Sequence, residues 1–512
     1  MERETLKDLE ARRARARAMG GATAIDKLHA AGKLTARERL DILLDKGSFR
    51  EIGLLGRSQH PKLRDRTPAD GLIAGWGTID GRQVYVAAED ATVVAGTRGR
   101  VAEAKTSRVR ELAQKHKRPF IALMEAGAGR FQENNGATAA NLGHRFREHY
   151  QLSGRVPQVA AMMGAGFGGP SFTAMQSDFV TIVRGTGFLG MSGPAVVKVG
   201  IGREVTAEAV GGAEKSATVT GQADHLADND TDALQAIRRF LSFFPSNCEE
   251  IPPRAAARPA ASDDPQGAEL LASLVSDNHR RAYDMDQLLK LIVDGDELFY
   301  YRPLYARNLI TAWARFDGET VGIIANNPMH MAGALDEKAI HKARKFVEIC
   351  DAFHIPLAFF TDCPGFMVGP DIEDQRMVSL ASRYLNTVIA ATVPKITIVL
   401  RKAIGLAYIA LGGKVMGPDT IVAWPTAQFD VMGPAAGVEL TYARDIASAE
   451  DPAAKRRELL AQAELQASAY LAAEMALIDD VIHPAETRAV ILGALARAAG
   501  SRKPGFKHRI DP

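Results

Sequence analysis

Residues 71–81 read GLIAGWGTIDG, and 237 positions further on residues 308–318 read NLITAWARFDG. That shift sets Trp76 on Trp313 and Asp80-Gly81 on Asp317-Gly318. With no gap it goes on to pair Val84 with Val321, Ala88 with Ala325, Gly96 with Gly333, Lys105 with Lys342, Glu111 with Glu348, Pro119 with Pro356, Val156-Pro157 with Val393-Pro394 and Gly168 with Gly405. A period this long exceeds the roughly 20–50 residues of a solenoid repeat, so it describes two whole domains of one fold.

Each copy has the same local grammar. Apolar residues on both sides of Asp-Gly, such as Leu72, Ile73 and Trp76 followed by Val84 and Val86, predict a β-hairpin closed by a type I′ turn. A helical period over Val101–Lys117, matched by Lys338–Phe353, comes next. Short apolar runs then predict buried strands at Phe120–Met124 and Leu357–Thr361. The fold class is therefore α/β, two tandem domains built from repeated β-β-α units. Between the copies Pro252, Pro253, Pro259 and Pro265 lie among Ala, Asp and Glu, a linker composition. We place an N-terminal domain at 1–250, a linker at 251–267 and a C-terminal domain at 268–512.

Composition narrows the function classes. Of 512 residues 46% are hydrophobic and 24% charged, and no apolar run nears the roughly 18 residues needed to span a bilayer. With 63 basic and 61 acidic residues the formal charge is +2, which gives no bulk pull toward nucleic acid or anionic lipid. Cys248, Cys350 and Cys363 lack the spacing of a zinc ribbon or a disulfide scaffold, as expected of a cytoplasmic protein. The Arg-rich start is interrupted by Glu2, Glu4, Asp8 and Glu10 and no apolar segment follows, so no targeting leader is expected.

In each copy a strand runs straight into glycines: Val159–Met163 into Gly164-Ala165-Gly166-Phe167-Gly168-Gly169, and Ile396–Leu400 into a segment holding Gly405-Leu406-Ala407. Glycine admits a ligand close to the backbone, and a helix that follows aims free N–H groups at it, an arrangement suited to a developing oxyanion. The first corner also spells G-x-G-x-x-G, the dinucleotide-binding fingerprint, yet no acidic residue occurs over Phe188–Val199 where that fold needs one, and the second corner lacks the pattern. Gly412-Gly413-Lys414 is followed by Val415 and forms no Walker motif, His144 and His149 lack metal-ligand spacing, and Ser171 has no nucleophile elbow. No metal site is expected in this chain.

Further residues complete a family likeness. GKLTARER at 32–39, LLD at 43–45 and GSFRE at 47–51 open the chain; CDAFHIPL at 350–357, DCPGF at 362–366, ATVPK at 391–395, RKA at 401–403 and AWPTA at 423–427 follow in the second half; IDDVI at 478–482 and PAETR at 484–488 come near the end. In these the sequence resembles the carboxyltransferase (beta) subunit of biotin-dependent acyl-CoA carboxylases, over almost its whole length. The resemblance implies two crotonase-like domains, each with one oxyanion hole. It also implies acyl-CoA as substrate on the N-terminal domain, biotin, as carboxybiotin on a partner chain, at the C-terminal domain of a neighbouring subunit, and a hexamer built of dimers. The reaction it implies moves a carboxyl group from carboxybiotin to the α-carbon of an acyl-CoA through a thioester enolate. Biotin then supplies the base and main-chain amides supply the charge stabilisation.

Carried over residue by residue, the resemblance sets the N-terminal donors on Gly168 and Gly169 and the C-terminal pair on Leu406 and Ala407, after Gly405. Pro170 has no N–H and cannot be a donor. The family usually has glycine where Leu406 stands, so Leu406 is expected to keep a negative φ. EAGAGR at 125–130 and FGGP at 167–170 depart from the family and line the expected acyl end. Ile409 falls where the family tunes acyl-chain choice, and Gly96, Arg130 and Gln132 are pocket-wall candidates. Arg37 and Arg39, with Lys33 and the face Arg12–Arg17, are candidates for coenzyme A phosphates.

No biotinyl-lysine motif and no ATP-grasp module is visible, so the resemblance implies a biotin carboxylase and biotin carboxyl carrier (alpha) partner. Alternatives are the same chemistry in a biotin-dependent decarboxylase or transcarboxylase, a simple crotonase, for which one such domain would suffice, and a diverged scaffold subunit without activity.

Overall fold

The computed structural model describes residues 3–512 apart from 126–128 and 142. The chain divides into two compact units: one runs to Glu250 and takes in Gly505–Pro512, the other is Ile251–Pro504.

The first unit opens with helices α1 (Arg3–Arg17) and α2 (Ala36–Leu43). α1 carries its arginines in water, Arg12 paired with Asp8 and Arg13 with Glu10. α2 starts at a capping box in which the Thr35 hydroxyl accepts from the Glu38 N–H while the Glu38 carboxylate accepts from the Thr35 N–H. A sheet follows, from β1 (Arg50–Ile52), β2 (Leu72–Ile79) and β3 (Arg82–Glu89). The β2–β3 turn has φ of 51° at Asp80 and 77° at Gly81, as a type I′ turn demands.

Helix α3 (Arg100–His116) buries Ala102, Lys105, Thr106, Val109, Arg110 and Ala113, one face at spacings of three and four. Beyond it lie β4 (Phe120–Met124), α4 (His144–Leu152), β5 (Gln158–Met162), β6 (Ala165–Phe167), α5 (Gly169–Met175), β7 (Phe179–Val183), β8 (Phe188–Gly190), β9 (His225–Ala227) and α6 (Asp230–Ser242). The sheet order is β1-β2-β3-β4-β5-β7-β9, antiparallel through β3 and parallel beyond. Every residue of β4, β5 and β7 is buried, which explains why these strands read as unbroken apolar runs and not as alternation. β6 and β8 pair apart from this sheet.

The second unit repeats the plan. After β10 (Phe299–Tyr300), strands β11 (Leu309–Phe316) and β12 (Glu319–Asn326) stand 237 residues from β2 and β3 at both ends. Then come α7 (Glu337–Ala352), β13 (Leu357–Cys363), α8 (Met377–Ala390), β14 (Lys395–Ile404), α9 (Gly405–Ala410), β15 (Thr420–Ala423), β16 (Gln428–Asp430) and β17 (Asp480–Val481). Register is conserved with the shift: Tyr85 faces Phe120 as Gly322 faces Leu357, and Phe120 faces Gln158 as Leu357 faces Lys395. The shift changes past the corners, where Val159 faces Phe179 but Ile396 faces Thr420, and at the leading edge, where Trp76 faces Arg50 but Trp313 faces Phe299.

Two expectations about boundaries are corrected. Residues 251–267 are no free linker: Ala255 N–H donates to the Gly318 carbonyl (2.9 Å), Gly295 N–H donates to the Pro259 carbonyl (3.0 Å), and Ala260 is buried in the second unit. Prolines stiffen a segment and remove donors, which suits a packed strap as well as a loose tether. Nor does a C-terminal domain keep everything to 512, since Gly505–Pro512 belongs to the first unit. Gly505 N–H donates to the Cys248 carbonyl (2.7 Å), Arg509 Nη1 donates to the carbonyls of Gln151 (2.6 Å) and Ser153 (2.8 Å), and Ile510 N–H donates to Ser153 Oγ (2.9 Å). Phe506 lies under the guanidinium groups of Arg155 and Arg509.

Candidate functional site

The first corner forms where β5 gives way to β6 and then α5. An added Cβ at Gly166 would stand 1.8 Å from Met162 Cε, so that glycine serves packing. Gly168 has φ 74° and ψ −126°, a conformation open only to glycine, and its N–H donates to the Gly190 carbonyl (2.9 Å). Gly168 is therefore the bend and not a free donor, which corrects half of the expected pair. Gly169 heads α5, and its N–H has no acceptor among the described residues. The guanidinium of Arg145, on α4, lies against it: an added Cβ at Gly169 would stand 2.6 Å from Nη2 and 2.8 Å from Cζ. Ser171 is no nucleophile, because its hydroxyl donates to the Gly190 carbonyl (2.8 Å) and accepts from the Gly190 N–H (2.9 Å).

The second corner has the same build. Gly405 bends with φ 62° at the head of α9, and Leu406 and Ala407 follow in its first turn, where amides have no partner inside the helix. Leu406 has no positive φ, as its expected role as donor requires. Its side chain is 65% exposed, whereas Ala407 is buried. Ile409 is half-buried on the same short helix, and Tyr408 packs edge-on against Phe429.

The remaining candidates are placed as follows. Gly96 closes a turn after β3, its N–H donating to the Val93 carbonyl (2.9 Å), so it offers no amide. Arg37 spans the Glu51 carboxylate with both terminal nitrogens, at 2.9 and 3.4 Å. Arg39 is fully buried between Glu125 and Asp230, and Arg130 is buried between Asp70 and Glu133. The two buried arginines are structural ties and have no free edge for a phosphate. Gln132 is exposed on the turn of helix at Phe131–Asn134. Ala126–Ala128, the centre of the altered EAGAGR motif, lie outside the described residues.

Residues 27–509 match the family model for the carboxyl transferase domain. The chain belongs to the carboxyl transferase domain family. It is 39% identical over 504 residues to the methylmalonyl-CoA decarboxylase subunit alpha of Veillonella parvula, covering 98% of this chain and 97% of that one. To the propionyl-CoA carboxylase carboxyltransferase subunit of Haloferax mediterranei it is 37% identical over 516 residues, with 99% of each covered. The transcarboxylase 12S structure, a hexamer assembly solved with methylmalonyl-coenzyme A and methylmalonic acid bound, superposes with a TM-score of 0.93 at 35% identity, covering 100% of this chain and 99% of that one. Both units of this carboxyl transferase are crotonase-like α/β folds, and the dinucleotide-binding alternative falls because β6 separates the first glycines from the helix.

Sequence reasoning missed one feature of this carboxyl transferase that the 237-residue shift could have found. Glu125 and Asp362 are equivalent, each buried where the strand before a corner ends. Glu125 meets Lys33 and Arg39; Asp362 accepts from Arg401 Nε (3.0 Å) and Nη2 (2.9 Å) and from the Lys402 N–H (3.1 Å). Arg401 Nη1 donates onward to the Arg281 carbonyl (2.7 Å), and the guanidinium covers the Tyr283 ring. Asp362 thus ties down β14, the strand that delivers the second corner, whereas Glu125 holds the segment at 33–39.

Proposed function

We propose that this carboxyl transferase moves a carboxyl group between carboxybiotin carried by a partner chain and the α-carbon of an acyl-CoA. The observation that carries this reading is the pair of equivalent corners, each a positive-φ glycine followed by helix-head amides. The Gly169 N–H takes the thioester oxygen as charge builds on it, and the Leu406 and Ala407 N–H groups take the ureido oxygen of biotin. One such donor supplies a factor of about 10²–10³ in rate. Across 164–171 and 403–410 the only ionisable side chain is Tyr408, whose hydroxyl burial pushes above its ordinary pKa. These residues therefore position and stabilise, and carboxybiotin supplies the carboxyl group and then the base. The second corner fits a neutral ring, with the apolar Leu406 and Ile409 around its amides.

Relatives named for carboxylation and for decarboxylation support the same step read in either direction. The partner is a biotin carboxylase with a biotin carboxyl carrier, and the working form an oligomer, supported by the hexamer reported for the transcarboxylase 12S. Among the described residues no helix is long and apolar enough to cross a membrane. The three cysteines are unbridged and buried, which supports a reducing, cytoplasmic setting.

The test is reconstitution. With its biotinylated partner, ATP and labelled bicarbonate the protein fixes label into an acid-stable acyl-CoA; alone it fixes none. Label fixed by the lone chain, or by no combination of partner and acyl-CoA, overturns the reading.

A further inference from the structure

The two corners differ in one respect that the shared fold does not require. Gly169 and Leu406 stand 237 residues apart, as do Arg145 on α4 and Ser382 on α8. In the first unit a guanidinium fills the place where a side chain at residue 169 would begin; in the second that side chain exists, is apolar and points to solvent. The first helix head has a guanidinium against it, and the second has a solvent-facing leucine in its first turn.

Arg145 brings a positive charge to the first corner. Its side chain is 12% exposed, yet Nη1 is buried with no hydrogen bond. Nη1 is ion-paired with Glu103 Oε1 at 3.3 Å, and the Phe146 ring centre lies 5.6 Å from Cζ. Around it Arg98 pairs with Glu89, and Arg110 with Glu148. Phe146, the next residue, packs on Phe172 of α5, which fixes α4 against the corner. Nη2 is the guanidinium nitrogen nearest the corner, where an N–H donated to an anion makes a strong, charge-assisted hydrogen bond.

We propose that Arg145 is a specificity residue that recognises the free carboxylate of a malonyl-type acyl-CoA. This rests on the carboxyl-transfer reading, and it assigns the carboxylated thioester to the first corner. In such a group the thioester oxygen and the carboxylate sit on carbons one atom apart, so the Gly169 N–H holds the first while the Arg145 guanidinium takes the second. Arg145 thereby holds the carboxyl group beside the α-carbon that gains or loses it.

Calorimetric titration of the purified full-length protein with methylmalonyl-CoA and with propionyl-CoA tests this. The native protein binds the carboxylated ester at least tenfold more tightly than the neutral one. In Arg145→Gln the preference falls to twofold or less through loss of affinity for methylmalonyl-CoA, while propionyl-CoA binds as before. Gly169→Ala, whose Cβ must push the guanidinium aside, loses the preference with the charge still present, so the test stands even if Arg145→Gln fails to fold. Arg145→Lys keeps part of it. Equal weakening of both esters, or an undiminished preference in the variants, overturns the proposal; a native protein that binds neither ester overturns the carboxyl-transfer reading instead.

Discussion

Lys105 and Lys342, equivalent under the repeat, each bury an ammonium against main-chain carbonyls just ahead of the first long strand of their unit. Lys105 donates to the carbonyls of Ala69 (2.9 Å) and Leu72, and Lys342 to those of Tyr305 (2.9 Å) and Leu309 (2.7 Å). Both clamp a bend containing positive-φ residues, Ala69 and Asp70 in one unit and Ala306 in the other. Burial lowers the pKa of Lys105 to about 8 and that of Lys342 to about 7.

A pH signature follows from that burial. Between about 7 and 10.5 the unfolded chain holds the Lys342 proton and the folded chain does not, so this group's contribution to stability rises with pH through that window and is flat below it. The advantage of the native protein over Lys342→Met is expected to grow by up to about 1.4 kcal/mol per pH unit. Urea midpoints of the two proteins at pH 6, 7, 8 and 9 check this; a constant difference from pH 7 to 9 refutes it.

Proline is tolerated in the first turn of a helix, so Gly169→Pro and Leu406→Pro each delete one amide; at 169 the new ring also displaces the Arg145 guanidinium. Each is expected to lower kcat by about 10²–10³ with circular dichroism unchanged. Native turnover in either variant removes that amide from the chemistry.

Asp362→Ala leaves the Arg401 guanidinium buried without its carboxylate, a change that typically costs about 3–5 kcal/mol. Asp8→Ala, which breaks an exposed pair with Arg12, is expected to shift stability by no more than about 0.5 kcal/mol. Thermal unfolding of the two variants side by side decides whether the second unit depends on the Asp362 tie.

Arg509→Ala removes two donors from the carbonyls of Gln151 and Ser153 and a cation from the Tyr150 ring. Amide exchange is expected to quicken across 144–156 and to stay unchanged in β11 to β14. Unchanged exchange in 144–156 would show that the tail contributes nothing to that end of α4.

Much of this was legible because backbone chemistry writes itself into sequence. Asp80-Gly81 and Asp317-Gly318 announce type I′ turns because few other dipeptides accept two positive φ angles. The repeat then carried the register across both sheets. Arginine misled, since nothing in the sequence around Arg39 or Arg130 says that Glu125, Asp230, Asp70 and Glu133 converge on them from distant segments. The glycine run at the first corner looks like one device in the sequence, whereas Gly166 answers to Met162, Gly168 to the bend and Gly169 to Arg145. Docking of 505–512 left no trace because it is made of carbonyls, a hydroxyl and stacked cations, none of which has a period.

That returning tail sets an order of events at the ribosome. The groove along Tyr150, Ser153 and Cys248 is made early, but Gly505–Pro512 emerges only after Ile251–Pro504 has been synthesised, which takes tens of seconds at roughly 5–20 residues per second. For that interval the nascent first unit waits with an open seam, which a segment translated after the second unit closes.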